Sequence, residues 1–289
     1  MSFEQFYKAR SLADALEKYH SCPNGAQYVA GGTDVMVTIR EKDIYKGKTT
    51  IDISDLKELQ GMEFDVETVI LGAGCTHRAV TESPLVKEHL PLLAEACLTV
   101  GSPQIRNRGT LGGNLGNASP AADSFGPMVL YGGEAVLLSR EGRKTVPVTE
   151  LITGPYRNAL RPGDLIEKVI LHPLSGYKQR FYKLGRREAL AISRLTVSIA
   201  CKLSDEGDLE DLRISLGSAF PRPMVFADLL QEGACRKPNA PMLREIAVAA
   251  AAKLPEIAGV RPTTEYKQTA SENLIYRMLC EICEVKTDG

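Results

Sequence analysis

The chain has 289 residues, of which 44% are hydrophobic and 25% charged, enough apolar material for a buried core and a length that suggests two domains. Lys and Arg (35) almost balance Asp and Glu (36), leaving a net charge of −1. That balance offers no bulk attraction for nucleic acid or another polyanion.

The start, MSFEQFYKARSLADALEKYH, has no apolar signal region. Within it Leu12, Leu16 and Tyr19 fall on one helical face behind Ser11, a suitable N-cap. Gln27–Ala30 reads as a short strand running into Gly31-Gly32-Thr33-Asp34. A helix over Val35–Glu41, a strand over Thr49–Ile53 and a turn or helical piece over Asp55–Leu59 follow. This is a strand–helix–strand unit of about 50 residues, as in an α/β subdomain. Thr68–Gly74 reads as a buried strand, with helices expected from Thr76 and over Pro91–Leu98. After a glycine-rich segment, Ala135–Ser139 and Lys144–Pro147 make a hairpin around Glu141-Gly142. Pro162-Gly163-Asp164 turns into the strand Leu165–Leu171, and the pattern breaks at His172–Gly176, closing a first module near residue 175.

Beyond it, Arg180–Leu184, Thr196–Leu203 and Leu212–Leu216 read as an antiparallel sheet with a turn at Asp205–Gly207. Helices are expected over Val225–Gln231, Met242–Leu254 and Glu272–Glu284 to cover it. The longest apolar run near the end, Ile246–Ala252, is far too short to span a bilayer, so no membrane partner is expected. Seven scattered cysteines suit free thiols in a reducing compartment, and a cytoplasmic protein is expected.

Two segments carry chemistry. In Val29-Ala-Gly-Gly-Thr-Asp-Val-Met36 a strand runs into two glycines and a hydroxyl residue. Such a turn either gathers backbone N–H groups into a phosphate nest or is a tight strand-to-helix turn capped by Thr33 or Asp34. The second segment, GTLGGNLGNASPAAD over 109–123, fits neither the dinucleotide fingerprint nor the P-loop. It reads either as an irregular loop or as a backbone that passes close to a ligand. On the second reading Asn114 and Ser119 can hydrogen-bond it and Asp123 can accept from ribose hydroxyls. Two phosphate-grade loops in one module suit a long ligand with a diphosphate and a flat head.

AGGTDV (30–35), GSPQIRNRGTLGGNLGNASPAAD (101–123) and FYKLGRREALAIS (181–193), in this order, resemble the FAD-binding medium subunit of the xanthine, nicotinate and carbon monoxide dehydrogenase family. These enzymes are molybdenum hydroxylases, and the likeness covers nearly the whole chain. It implies an α+β fold: a PCMH or vanillyl-alcohol-oxidase-type flavin domain over 1–175, with α/β subdomains of about 1–57 and 58–175. A C-terminal domain over 176–289, with a small antiparallel sheet and helices, follows.

The resemblance further implies that Val29, Ala30, Gly31, Gly32, Thr33, Asp34, Val35 and Met36 wrap the FAD diphosphate through backbone N–H groups. Gly101 and the run Thr110, Leu111, Gly112, Gly113 and Asn114 would line the diphosphate and isoalloxazine. On this view a Cβ at Gly112 would fill space the ligand needs. Asp123 would contact the ribityl–ribose portion. Lys183 would approach the ring, where a cation stabilises the reduced N1–C2=O edge, and the backbone near Ile166 would meet its pyrimidine edge. GGTD holds no histidine, so non-covalent FAD is expected.

By the same resemblance a large partner subunit holds molybdopterin and oxidises a purine or other N-heterocycle. A small partner passes electrons from [2Fe–2S] clusters to the FAD, which delivers them to NAD⁺ or another acceptor; a dimer of heterotrimers is the implied assembly. The cysteines here lack ferredoxin spacing. A free-standing FAD oxidoreductase is disfavoured by the lack of acid–base groups around the loops. A scaffold that has lost flavin is disfavoured by the intact GGTD, TLGGN and SPAAD. Cys280 and Cys283 are expected to pack in a helix, and His20, His77, His89 and His172 to lie at the surface or cap. Arg106, Arg108, Arg186 and Arg187 either face a partner or the diphosphate or, as the default expectation, lie in solvated ion pairs.

Overall fold

A computed structural model describes residues 5–41, 47–188, 190–230 and 236–286. Strands β1 (Gln5–Lys8) and β2 (Ala26–Val29) both pair in parallel with β3 (Thr49–Asp52), which is central in a three-stranded sheet. Parallel neighbours need crossovers, here made through α1 (Leu12–Ser21) and α2 (Thr33–Glu41). The Ser11 hydroxyl caps α1 by accepting from Asp14 N, and Leu12, Ala15 and Leu16 are buried. β1 is mostly exposed and carries no alternation, which is why its sequence gives no strand signal.

The second sheet has five antiparallel strands in the order β4-β5-β10-β6-β7. They are β4 (Met62–Asp65), β5 (Thr68–Gly72), β6 (Glu134–Ser139), β7 (Gly142–Pro147) and β10 (Leu165–Leu171). Between β5 and β6 the chain folds into short helices: α3 (His77–Glu82), α4 (Pro84–His89), α5 (Pro91–Leu98), α6 (Pro103–Arg106), α7 (Leu111–Asn117) and α8 (Phe125–Leu130). Proline opens α4, α5 and α6, where a missing N–H costs nothing and the previous helix must stop. Helix α9 (Val148–Leu151) and the hairpin β8 (Ile152–Gly154) and β9 (Arg157–Asn158) precede β10.

The C-terminal sheet is antiparallel, β11 (Tyr177–Gly185), β12 (Ser193–Leu203) and β13 (Leu209–Gly217), with β12 central. Alternation along β12 gives it two buried faces. Leu195, Val197, Ile199 and Cys201 share a core with α10 (Ala240–Ala258) and α11 (Thr264–Cys283). The opposite face, with Ser198 and Ala200, meets the first module: a Cβ on Gly126 of α8 would lie 2.9 Å from Ser198 Oγ and 3.5 Å from Ser215 Oγ.

One expected helix is absent. Phe226 is extended and exchanges two backbone hydrogen bonds with Ile214 of β13, at 2.8 and 3.0 Å, so Val225–Leu230 is not helical; Gln231 lies outside the described residues. Pairing with a sheet edge and an edge-to-face contact between Phe226 and Phe220 (5.5 Å) outweigh a helix-like apolar spacing. Among the described residues no helix is long and apolar enough to cross a membrane.

Candidate functional site

The first glycine loop leaves the carboxyl end of β2 in a parallel sheet, the place where α/β sheets open ligand crevices. Ile53 N holds Val29 O at 2.9 Å, Gly32 turns the chain with φ +73°, and Met36 N donates to Gly32 O at 3.0 Å to start α2. Among the described residues none accepts a hydrogen bond from the N–H groups of Thr33, Asp34 or Val35. The helix therefore presents three open donors at its positive end. Val29, Ala30, Gly31, Gly32, Thr33 and Val35 are half-buried around this point, while Asp34 and Met36 are exposed.

The two glycine segments touch. A Cβ on Gly31 would lie 1.9 Å from Arg108 O and 3.1 Å from Gly109 Cα, so no side chain fits between them. Gly109 O accepts from His77 N at 2.9 Å, which fixes the second loop against the start of α3.

The second segment is a helix. Thr110 caps α7 by accepting from Gly113 N at 3.0 Å, Leu111 N donates to Cys75 O at 3.0 Å and Gly112 N to Ala73 O at 2.8 Å. Its first-turn donors are thus spent on protein, unlike those of α2. A Cβ on Gly112 would meet Ala73 Cβ at 2.6 Å and Ala73 O at 2.9 Å. Gly112 is therefore required by packing against the turn after β5, which corrects the expectation that its missing side chain makes room for a ligand. Gly113 is exposed, Asn114 Oδ1 accepts from Ser124 Oγ at 2.6 Å, and Ser119 Oγ accepts from Ala121 N at 3.3 Å. Ile166 is buried in β10 opposite Leu137, beside a bulge; the next residue's carbonyl, Glu167 O, accepts from Ala73 N at 3.0 Å.

Asp123 lies at the centre of a buried polar cluster. Lys183 Nζ donates to Asp123 Oδ2 at 2.6 Å and to Thr99 O at 2.8 Å; Thr99 Oγ1 donates to Asp123 Oδ2 at 3.3 Å, and Ser193 Oγ donates to Oδ1. The side chains of Lys183 and Asp123 are only 11% and 5% exposed. Burial pushes the Asp123 carboxyl above its ordinary range, and the charge and hydrogen bonds of Lys183, with those of Ser193 and Thr99, oppose that rise. The 99–109 segment joins this cluster to the glycine loops. Gly101 takes φ +45° against the Ile105 side chain, and Arg106 Nη1 donates to Val100 O and Gly101 O, both at 3.1 Å. Arg106 thus braces backbone carbonyls, where a solvated ion pair was expected.

His77 also departs from the sequence expectation. It is 2% exposed, 3.4 Å from Cys97 Sγ, and a Cβ on Gly109 would meet its Cδ2 at 3.2 Å. Burial, with Arg106 nearby, lowers its pKa to about 4, so it is neutral at pH 7. Its place after Thr76, an N-cap, was legible; its burial beneath Gly109 was not.

Residues 1–173 match the family described as the FAD binding domain in molybdopterin dehydrogenase, and residues 180–282 match the CO dehydrogenase flavoprotein C-terminal domain. The chain belongs to this family of FAD-binding medium subunits, and is an oxidoreductase subunit. It is 30% identical to the nicotinate dehydrogenase FAD-subunit of Eubacterium barkeri over 299 positions, 99% of this chain and 98% of that one. It is 31% identical over 228 residues to the xanthine dehydrogenase FAD-binding subunit of Escherichia coli O157:H7, covering 77% and 76% of the two. The fold matches reconstituted CO dehydrogenase from Oligotropha carboxidovorans with TM-score 0.87, 23% identity and 98% coverage of both chains. It matches quinoline 2-oxidoreductase from Pseudomonas putida 86 with TM-score 0.89 and 20% identity, covering 98% of this chain and 99% of that one. The fold class expected from the three motifs, mixed α+β with small antiparallel sheets and helices, is the one observed.

Proposed function

We propose that the chain is the electron-transfer subunit of a heterotrimeric molybdenum hydroxylase, holding FAD non-covalently between a flavin domain over 1–175 and a C-terminal domain over 176–289. The observation that carries this reading is the set of open N–H groups of Thr33, Asp34 and Val35, beside the contact of Gly31 with Gly109. Converging donors at a helix N-terminus, with no Cβ in the way, fit a diphosphate. Bound FAD supplies an acceptor of two electrons that can pass them on singly or as hydride.

The chain's own residues then bind and orient it. Val29–Met36 hold the diphosphate, while Gly101 and Gly113 offer bare backbone to the flat ring. Thr110, Leu111, Gly112 and Asn114 act by seating α7, and Ile166 leads into Glu167, whose carbonyl holds the turn at Ala73 against it. Lys183 has three N–H groups and spends two, on Asp123 and Thr99 O, which leaves one for the electron-rich edge of a reduced ring. Asp123 fixes that ammonium and, with Ser119, borders the sugar chain. Electrons arrive from [2Fe–2S] clusters of a small partner subunit and leave to NAD⁺ or another acceptor. A molybdopterin-holding large subunit oxidises a purine or other N-heterocycle, in a cytoplasmic dimer of heterotrimers.

The test is optical. The purified chain, with FAD added where needed, should show flavin absorbance that bleaches anaerobically with NADH. A chain that stays colourless after FAD addition sinks the flavin assignment. Bound flavin that NADH leaves oxidised removes NAD⁺ as acceptor. A substrate panel on the co-purified complex then decides the organic substrate.

A further inference from the structure

Four buried hydroxyls gather where the C-terminal sheet meets the first module. Among the described residues none hydrogen-bonds Thr196 Oγ1 or the Oγ atoms of Ser198, Ser215 and Ser218. Thr196, Ser198 and Ser215 are at most 1% exposed, so bulk solvent does not serve them either. Burying a hydroxyl unbonded is destabilising, and four at one seam call for a shared partner. The sheet register brings them together. Thr196 lies opposite Gly217, and Ser198 opposite Ser215. Opposed residues share a sheet face, here the face turned to the first module. Two glycines yield their side-chain space to these hydroxyls. A Cβ on Gly217 would lie 2.1 Å from Thr196 Oγ1, and one on Gly126 would lie 2.9 Å from Ser198 Oγ and 3.5 Å from Ser215 Oγ. Ser218 follows with φ +59°, and Lys267 Nζ holds that turn by donating to its carbonyl.

The same residues wall a crevice. Gly126, Ser215, Gly217 and Ser218 line a space of about 20 Å³, together with apolar side chains and Arg222. One water molecule needs about 10–15 Å³ of such space and two to four polar partners. The volume admits one water and excludes a larger polar ligand. An apolar occupant would leave the hydroxyls unbonded. Water donates and accepts, as a hydroxyl does, so one molecule serves several hydroxyls whichever way their protons turn.

We propose that this crevice is a built water site, in which one ordered water is bound by Ser215 Oγ and by at least one of the Thr196, Ser198 and Ser218 hydroxyls. The water fills the joint between two parts that must stay in register. On one side is the loop of Asp123, whose neighbour Ala122 also lines the crevice. On the other is the strand pair of Lys183, which lies opposite Thr196. The ion pair between Asp123 and Lys183 is thereby backed by a hydrated seam.

The experiment is a crystal structure of the full chain at a resolution that shows ordered solvent. The expected result is a solvent oxygen roughly 2.7–3.0 Å from Ser215 Oγ and from a second of the four hydroxyls. A dry crevice overturns the proposal, as does a Ser215 hydroxyl turned onto a backbone carbonyl. A bromide soak that puts an anomalous peak in the crevice also overturns it, since the site would then hold an anion beside Arg222. Ser215→Ala separates the cases in solution. With water bound, the variant loses a bonded hydroxyl and its thermal midpoint should fall. A dry site loses only an unbonded group, so an unchanged or raised midpoint counts against the water. The wild-type crystal decides even if the variant fails to fold.

Discussion

Lys183 and Asp123 are 60 positions apart in sequence and 2.6 Å apart in space, inside the protein. Removing one member of a buried pair strands the other charge, at a cost of about 3–5 kcal/mol, whereas replacing both costs less. Lys183→Met should therefore destabilise the chain more than Lys183→Met with Asp123→Leu, in urea unfolding followed by circular dichroism. Equal losses would mean the two charges are not coupled. His77 sets a pH dependence. Its folded pKa of about 4 lies below the ordinary 6.5, so the unfolded chain binds the proton more readily. Stability from this group is complete above pH 6.5 and is lost as pH falls towards 4, by up to roughly 1.4 kcal/mol per pH unit. Carboxylates also titrate there, so the comparison is with His77→Gln, whose stability should fall less between pH 7 and 5. Parallel curves would remove His77 as the source.

At the scale of elements, α7 shows how similar glycines serve different needs. Gly112→Val pushes a side chain into Ala73 and should cost about 1–3 kcal/mol through overpacking, with flavin lost as a consequence of a displaced helix. Gly116, in the same helix, has no atom within 4 Å of where its Cβ would stand. Gly116→Ala should raise stability by about 0.5–1 kcal/mol, since alanine loses less backbone entropy in a helix. Thermal melts of both variants check the pair: a destabilised Gly116→Ala or an unchanged Gly112→Val would contradict the packing described. Little in 111–117 signals a helix, because glycine is a poor helix former. The cap at Thr110 and the anchors at Cys75 O and Ala73 O come from tertiary contacts. The loop before α2 was legible because a strand followed by Gly-Gly-Thr is a local signal.

Across the whole molecule, one sheet joins the two cores. The apolar face of β12 serves α10 and α11, and its hydroxyl face lies on α8, where Gly126 leaves room for Ser198 and Ser215. Gly126→Leu overfills that seam and should cost about 1–3 kcal/mol, with amide exchange quickening in α8 and β12 before α10 and α11. Uniform quickening would show that the seam is not a separate weak point. The sequence by itself determined the order of most strands and helices, the strand-to-helix turn at Gly31-Gly32 and the family. Those follow from apolar spacing, turn residues and short motifs, which act over a few positions. Only the tertiary structure decided that Phe226 extends a sheet edge, that His77 is buried and that Asp123 meets Lys183. It also showed that Gly112 answers to Ala73. Each of these depends on partners distant along the chain, whose burial and hydrogen bonding outweigh local preference.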